Sequence, residues 1–463
     1  MDTKEKKPND AVNPQENTAL SVNVYDTPPY KRSRMAYNAE ALLEYLISLT
    51  IVDSFLAALG KSMGISDALI GICSSIASLA GLTQVFTVFF NHRRPVKRLI
   101  LTLHLVNQLM FACLYFLPFF SGVPQVLKEI LFVSLLLGGY LCSNITGSMK
   151  YVFAMSSVER GKYGTFSTTK EMISLVGGMI FEYIIGRVAT YYTDIGRQDI
   201  CFILFGITTV VIAILHAISV GFMREDRGKY IRMAEEEGEA PKESLKVRLG
   251  NMLGLLKNRN FVLVMLVFLM WRCADYLAMP FMGTYAIDPD ALNFTLADIS
   301  VFAIIGSGIR FVISRPVGRF ADKTSYCTML IPIFSLAAVA YIFGTFAAPG
   351  TEWMFVAYKV LRAVAYVGIN SGTYNLMLDY ITTDRSDYAI ALNNCIIGLA
   401  GFLSTLVGSV ILSRIQSNGN TVFGLPVFAQ QFLSLIAAAI TVVIVLYLVF
   451  VVRKLRRVGV ETE

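Results

Sequence analysis

Residues 428–452 read FAQQFLSLIAAAITVVIVLYLVFVV, a run without a single charged side chain. A helix rises about 1.5 Å per residue and the hydrocarbon core of a bilayer is about 30 Å thick, so a run of this length can cross a membrane. Eleven further apolar segments of similar length precede it. The twelve predicted spans lie near 38–60, 66–90, 99–118, 130–154, 165–188, 200–222, 260–285, 297–315, 326–348, 352–379, 388–412 and 428–452.

The composition of the whole chain agrees with a membrane protein and excludes an ordinary soluble enzyme. The 463 residues are 55% hydrophobic and 16% charged, with a mean hydropathy of +0.58, whereas soluble domains average about 25% charged residues. The formal charge of +7 is spread over short loops, so it does not indicate a nucleic-acid partner. The seven cysteines stand singly in or beside apolar segments. Such thiols usually pack as small apolar groups, and they predict neither a disulfide nor a metal site.

The orientation in the membrane follows from the Lys and Arg residues, which accumulate in cytoplasmic loops. If the N-terminus is inside, 29 of the 40 basic residues fall in the inside segments, and only Lys61, Lys128, Arg197 and Arg414 fall in the outside ones. This asymmetry predicts that both termini are cytoplasmic.

A long connection divides the twelve spans into six and six. Its second part has leucines and a methionine at helical spacing between Leu245 and Leu256, which predicts an amphipathic helix on the inner membrane surface. Five regions follow: a disordered cytoplasmic tail (1–37), an N-terminal six-helix bundle (38–222), a cytoplasmic linker (223–259), a C-terminal six-helix bundle (260–452) and a basic cytoplasmic tail (453–463).

The loop after the eighth predicted span carries the most specific motif. It reads RPVGRFADKTS over residues 315–325, and its Gly-x-x-x-Asp-Lys-x-Ser order resembles the cytoplasmic signature of the major facilitator superfamily. The six-plus-six plan with both ends inside is similar to that superfamily over the whole chain. The resemblance implies an all-α membrane protein with twelve transmembrane helices in two six-helix bundles. It also implies that Gly318, Arg319, Asp322 and Lys323 form a cytoplasmic gate, with Gly318 permitting a tight turn; an ordinary charged turn is the alternative.

Two segments of the first half depart from the family pattern. The matching loop, residues 90–98, reads FNHRRPVKR and has the basic residues but neither the Gly nor the Asp. The fifth span, with Gly177 and Gly178, lacks the Gly-Pro signature of the family's drug/proton antiporters. The resemblance therefore indicates a superfamily and no particular solute.

Ionisable side chains within the spans are candidate functional groups, because a charge in the hydrocarbon is costly. Residue counting places Arg272, Asp275 and Arg362 near the bilayer midplane, where transporter sites lie. The resemblance implies that spans 1, 4, 7 and 10 line the cavity. Those spans carry the candidate substrate and coupling residues Glu44, Asp53, Asn144, Trp271, Arg272, Asp275, Tyr276, Lys359, Arg362, Tyr366 and Asn370.

Helical spacing constrains how these residues combine. Glu44 and Asp53 are nine residues apart, about 180° around a straight helix, so only one faces the cavity unless the span bends, and Glu44 is favoured. Arg272 and Asp275 share a face, either as a static ion pair or as functional groups. Lys359 and Arg362 stand one turn apart and need a counter-ion, for which Glu44, Asp53, Asp275 and an anionic solute are the candidates.

Other polar residues in the spans have structural interpretations. Lys150 lies near the inner surface, where long side chains extend to the interface. Glu182 and Arg187 lie near the outer end of the fifth span and predict a pair at the rim. The resemblance places His104 and His216 on helices outside the cavity, so both are interpreted as packing groups.

The sequence predicts a secondary active transporter that moves a small polar organic solute by alternating access. No GxxxxGK[ST] motif for ATP is present, so a proton or sodium gradient, or the solute's own gradient, must supply the energy. Glu44, Asp53 and Asp275 can carry protons, and no other cofactor is expected. We expect a monomer in the plasma or inner membrane whose partners are its solute and the lipid bilayer, and not an enzyme, because no nucleophile–base pair or metal spacing is evident.

The chemistry of the solute stays open at this level. Lys359 and Arg362 favour an organic anion or zwitterion, whereas the aromatic and amide side chains favour a sugar or glycoside. The uncharged solute is slightly preferred, because the spans contain enough acidic residues to pair with the basic ones. A transporter-like sensor that binds without translocating is the alternative from another class.

Overall fold

The computed structural model of the protein describes residues 24–83, 96–159, 162–225, 245–381 and 386–455. The α-helices are Pro28–Thr50 (α1), Asp53–Ser62 (α2), Asp67–Ala80 (α3), Lys97–Leu114 (α4), Gln125–Met155 (α5), Tyr163–Asp194 (α6), Gln198–Phe222 (α7), Leu245–Gly254 (α8), Arg259–Ala278 (α9), Met282–Ala286 (α10), Leu296–Lys323 (α11), Tyr326–Phe346 (α12), Glu352–Leu378 (α13), Ser386–Ser417 (α14) and Ala429–Phe450 (α15). Two short strands, Thr421–Val422 (β1) and Leu425–Pro426 (β2), pair antiparallel between α14 and α15.

Each of the twelve predicted spans contains a helix. Within the described ranges, eight helices are long and apolar enough to cross a bilayer alone, and α1 with α2 makes a ninth as a bent pair. The other three positions hold α3, α4 and α13, which are shorter or more polar; α13 carries Lys359 and Arg362 in its interior. The fold is therefore all-helical in its core, while the count of twelve spans and the cytoplasmic termini remain predictions.

The first helix starts earlier than the hydropathy indicated. Helix α1 begins at Pro28, in the first turn where proline is favoured, so the prediction of a disordered tail is wrong for residues 28–37. Ala36 and Tyr37 are buried in an apolar cluster with α4, α5 and α7, and Ser33 Oγ lies 2.8 Å from Ser157 Oγ. Packing on the N-terminal bundle holds this polar stretch in the helix.

The first predicted span is bent. Helix α1 ends at Thr50, α2 begins at Asp53, and their axes differ by 48°. Asp53 has a φ of 49°, a left-handed conformation that Asp adopts more readily than most residues other than glycine. On a straight helix Glu44 and Asp53 would point in opposite directions, but because the span bends, both can reach polar partners in the interior.

The buried apolar side chains form two large clusters, one drawn from residues 47–212 and one from residues 255–452. Each cluster is the core of one half-bundle. The halves meet where α3 packs on α14, α6 on α11 and α2 on α10. We call the end of the bundle at Pro28 the entry end and the opposite end, at Ser62, the far end.

The candidate gate has a different backbone from the predicted one. Helix α11 continues to Lys323 with Pro316 inside it, so Gly318 lies in a helix and the expected tight turn is wrong. Proline is tolerated inside membrane helices when neighbouring groups satisfy the freed carbonyl. The turn forms instead at Thr324 and Ser325, where the Ser325 hydroxyl accepts a hydrogen bond from the Thr328 N–H at 3.0 Å.

The structure describes the two basic side chains of the candidate gate. Arg319 and Lys323 are exposed at the entry end. The side chain of Asp322 and the opposing loop, residues 84–95, lie outside the described residues. The gate therefore remains a prediction.

The linker between the halves is helical in its second part. Helix α8 covers Leu245–Gly254, within the stretch whose spacing predicted a helix. Its location on the membrane surface remains a prediction, and the acidic run at residues 235–237 lies outside the described residues.

Candidate functional site

A buried ion pair joins α9 to α13 in the C-terminal half. Asp275 is 1% exposed, and its Oδ1 accepts from Arg362 Nη2 at 2.7 Å and from Arg362 Nε at 3.0 Å. The Tyr341 hydroxyl of α12 donates to the same carboxylate at 2.5 Å. Asp275 therefore pairs with Arg362, and the alternative of an intrahelical Arg272–Asp275 ion pair does not form.

A second ion pair links the two halves. The Lys359 ammonium of α13 donates to the Asp53 carboxylate at the start of α2. Glu182 of α6 is 9% exposed and interacts electrostatically with both. The rim pair predicted for Glu182 and Arg187 is not among the ion pairs of the described chain; Glu182 instead adds a second carboxylate beside one ammonium.

The far end is closed by contacts between the halves. The Lys61 ammonium of α2 donates to Asp288 Oδ2 at 2.8 Å and to the Thr284 carbonyl at 3.3 Å. Gly283 of α10 lies so close to α2 that an added Cβ would stand 2.7 Å from the backbone carbon of Asp53. Gln416 of α14 donates to Asp67 Oδ2 at 3.0 Å, so polar bonds and backbone contact seal this end.

A cavity of about 620 Å³ lies toward the entry end, and we call it the acidic cavity. Its lining residues are Tyr37, Glu40, Ala41, Glu44, Tyr45, Ser48, Lys150, Lys170, Glu171, Ser174, Leu175 and Arg310. Lys150 pairs with Glu40 at 2.9 Å and also with Glu44. The expectation that Lys150 extends to the membrane surface is therefore wrong, because two carboxylates one turn apart on α1 hold it in the interior.

Both histidines of the described chain lie beside these carboxylates. His216 Nε2 of α7 lies 2.9 Å from Glu40 Oε1, and His104 Nδ1 of α4 lies 3.5 Å from Glu44 Oε1. The two rings stack with centroids 5.4 Å apart. Their interpretation as packing groups missed this neighbourhood, which depends on how the three helices are rotated and offset relative to one another.

A smaller cavity of about 250 Å³ lies between the halves, and we call it the interface cavity. Its lining residues are Ala77, Ser78, Gly81, Asn144, Arg272, Tyr276, Tyr374, Asn394, Ile397 and Gly398. The guanidinium of Arg272 lies 5.2 Å from the ring centroid of Tyr276, within the range of a cation–π contact. Within the part of the chain that the structure describes, no carboxylate approaches Arg272 within 4.0 Å.

The remaining candidates lie in a recess of about 40 Å³ that shares Arg272, Tyr374 and Ile397 with the interface cavity. It is lined by Phe268, Trp271, Arg272, Tyr366, Ile369, Asn370, Thr373, Tyr374 and Ile397. Trp271 also packs edge-on against Phe334 in the bundle. The structure thus places the predicted residues in the ion pairs Asp275–Arg362 and Asp53–Lys359, in the acidic cavity (Glu44), in the interface cavity and in the recess. It adds Ser78, Tyr341, Tyr374 and Asn394, uncharged residues that the cost of a buried charge could not single out.

The sequence model of the Major Facilitator Superfamily matches residues 43–405, most of the chain and both halves. The chain belongs to the Major Facilitator Superfamily. It is therefore a multi-pass membrane protein of the transporter type, and members of this superfamily are generally not enzymes. No curated protein matches its sequence.

Solved structures of superfamily transporters have the same fold. The nucleoside transporter NupG has a TM-score of 0.67 and 13% identity, over 93% of this chain and 100% of that one. A bacterial homologue of the iron transporter ferroportin, in an inward-facing state, has a TM-score of 0.65 and 12% identity, over 91% and 98%. The D-xylose–proton symporter has a TM-score of 0.60 and 14% identity, over 89% and 97%. At these identities the likeness shows the superfamily fold and assigns no solute.

Proposed function

We propose that this superfamily member is a secondary active transporter that moves a small polar solute with an anionic group through the interface cavity by alternating access. The observation that carries the proposal is Arg272, a cation without a carboxylate partner among the described residues, in a cavity between the halves. A solute bound there touches both halves at once. It can therefore respond to, and bias, their relative movement.

The anionic group is supported by how the basic residues are paired. The preference for an uncharged solute assumed an acidic partner for each cation in the spans. Lys359, Arg362 and Lys150 have such partners, whereas Arg272 has none within the described ranges. A carboxylate or phosphate of the solute would supply the missing charge through the paired N–H donors of the guanidinium.

A sugar or glycoside is the second candidate, and the rest of the lining favours it. Asn144 and Asn394 offer amides, Ser78 offers a hydroxyl, and Tyr276 offers an aromatic face. Hydroxyl groups of a sugar pair with amides, and its apolar face packs on rings. A sugar acid combines both demands, so an acidic carbohydrate belongs in every substrate screen.

Proton coupling is supported by the Asp53–Lys359 pair. It joins α2 of one half to α13 of the other, and a proton on Asp53 would remove the negative charge that holds Lys359. Loss of the pair would weaken the closed far end and favour opening there. With the termini cytoplasmic, as the loop charges predict, the acidic cavity opens inward and the far end faces outward, so an outside proton would reach this pair as that end opens.

The test begins with a thermal-shift screen of the purified protein against sugars, sugar acids, organic acids and amino acids. Stabilising compounds are then measured by counterflow in proteoliposomes. Arg272→Gln should weaken binding of anionic solutes about tenfold or more, since a charged hydrogen bond is worth about 1.5–3 kcal/mol, and should spare uncharged ones.

Arg414→Gln is the matched control, because Arg414 is exposed in the last turn of α14 and should leave binding unchanged. Equal affinity of wild type and Arg272→Gln for anions would refute the anionic assignment. Binding without counterflow would identify a sensor instead of a transporter.

A further inference from the structure

Glu40 of α1, His104 of α4 and His216 of α7 bring one ligand atom each within 4.8 Å of one another. We call these three residues the Glu40 cluster. Their side chains are almost fully buried, with relative exposures of 0%, 0% and 1%. Three different helices converge here, about 10 Å from the start of α4 at the entry end.

The polar atoms of the cluster are incompletely satisfied. Glu40 Oε2 and both ring nitrogens of His104 have no hydrogen-bond partner within the described structure, and the 3.5 Å between His104 Nδ1 and Glu44 Oε1 is longer than an ordinary hydrogen bond. Buried polar atoms in folded proteins are nearly always bonded. A carboxylate oxygen and an imidazole nitrogen can each donate an electron pair to a metal ion, so buried atoms of this kind without a partner indicate a ligand.

The two carboxylates share one ammonium. Glu40 and Glu44 both pair with Lys150, whereas the other charged residues of the cavity, Glu171, Lys170 and Arg310, form no ion pair with them within the described structure. Glu40 Oε2 therefore stays without a partner, and a buried carboxylate oxygen favours a cation beside it.

We propose that the Glu40 cluster binds a divalent transition-metal ion of the zinc and cobalt class, with Glu44 within reach as a fourth ligand. Two imidazoles and one or two carboxylates are the ligand types that such ions select, whereas magnesium and calcium select oxygen alone. In a tetrahedral site with metal–ligand bonds of about 2.0–2.2 Å the donors stand about 3.3–3.6 Å apart, so the widest separation, within 4.8 Å, must shorten by up to about 1.5 Å on binding.

The acidic cavity provides access to the site. Glu40 and Glu44 line that cavity, so an ion entering it meets the carboxylates first. Lys150 holds the same carboxylates and therefore competes with the ion. Binding ties α1 to α4 and α7 within the N-terminal half and is independent of the solute proposed for the interface cavity.

Co²⁺ is the probe, because its visible absorption reports the ligand field directly. The purified full-length protein at pH 7.5 should bind one Co²⁺ per chain with a tetrahedral-type spectrum, and Zn²⁺ should displace it. His104→Ala and His216→Ala should each weaken binding at least about 100-fold, given that loss of even a supporting partner costs about 10–100-fold.

Asp199→Ala provides the control, because it removes an exposed potential metal ligand at the end of α7 far from His216. Lys150→Met should tighten Co²⁺ binding by removing the competitor, a gain that a misfolded protein would not produce. A wild type that binds no Co²⁺, or binding that survives in the His104→Ala/His216→Ala double variant, overturns the proposal.

Discussion

The carboxylate of Asp275 accepts two hydrogen bonds from the Arg362 guanidinium, at 2.7 and 3.0 Å, and a third from the Tyr341 hydroxyl. These bonds connect α9, α12 and α13 within one half. Asp275 thereby has its charge balanced and its oxygen bonded while it is almost completely buried. The pair thus holds three helices of the C-terminal half together without a partner from the other half, unlike Lys359, which pairs with Asp53.

Substitution of either partner should destabilise the protein strongly. Asp275→Asn leaves the Arg362 guanidinium buried without a counter-ion, which costs about 3–5 kcal/mol, and the apparent melting temperature in detergent should fall by several degrees. The Asp275→Asn/Arg362→Gln double variant should lose much less than the sum of the single losses, because the two effects share one contact. Additive losses would show that the pair contributes nothing as a pair.

The Asp53–Lys359 pair should affect coupling more than stability. Asp53→Asn removes the proposed proton acceptor between the halves, so uptake into proteoliposomes should become insensitive to an imposed pH gradient while binding of the solute is retained. Asp199→Asn is the control, because Asp199 forms an exposed pair with Arg197. Gradient-driven accumulation by Asp53→Asn would exclude Asp53 as the coupling residue, and Glu182 would then be substituted next.

The Lys61–Asp288 pair is of a different kind. Both side chains are partly exposed, at 27% and 29%, and such pairs are worth about 0–1 kcal/mol and are screened by salt. Lys61→Gln should therefore lower the melting temperature far less than Asp275→Asn, and its effect should shrink as NaCl is raised. An effect as large as that of Asp275→Asn, persisting at high salt, would show that the far-end contact is buried in solution.

Hydropathy located the helices well because the bilayer imposes a length and an apolar composition on each span. The same signal failed at Pro28, where a polar stretch is helical because Tyr37 and Ser33 pack on the N-terminal bundle. It also failed at the bend, since residues 50–53 contain no glycine or proline and the turn depends on the conformation of Asp53. Local sequence does not contain such tertiary effects.

The sequence predicted which residues belong to the candidate site but not which of them form ion pairs with one another. The cost of a buried charge identified Glu44, Asp53, Asp275, Lys359 and Arg362 from the sequence alone. The partners depend on the rotation of each helix and on contacts between distant helices, as for Arg362 with Asp275 across 87 positions. Arg272 shows the consequence. The spans contain enough acidic residues to pair with the basic ones, but in the described structure no carboxylate lies within 4.0 Å of Arg272.

Gly283 offers a direct test of the closed far end. An added Cβ at Gly283 would stand 2.7 Å from the backbone carbon of Asp53, and backbone cannot move aside as a flexible side chain can. Gly283→Ala should therefore force α10 away from α2 and shift the population toward states that are open at the far end. In a background whose seven native cysteines are replaced by serine, Ala57→Cys at a fully buried position of α2 would report the shift through faster labelling by a membrane-impermeant thiol reagent.

Gly318→Ala is the matched control for this experiment. Gly318 lies within α11, and a Cβ there would meet nothing within 4 Å. Labelling at position 57 in Gly318→Ala should therefore match labelling in the protein without either glycine substitution.

The Gly318→Ala variant also tests the candidate gate. Because Gly318 lies in a helix and not in a turn, alanine should be tolerated or should stabilise the protein slightly, by up to about 1 kcal/mol. Unchanged labelling of position 57 in Gly283→Ala would mean that the contact between α2 and α10 does not control access from the far end. Loss of transport in Gly318→Ala would show that another helix approaches Gly318 closely in a different state of the transport cycle.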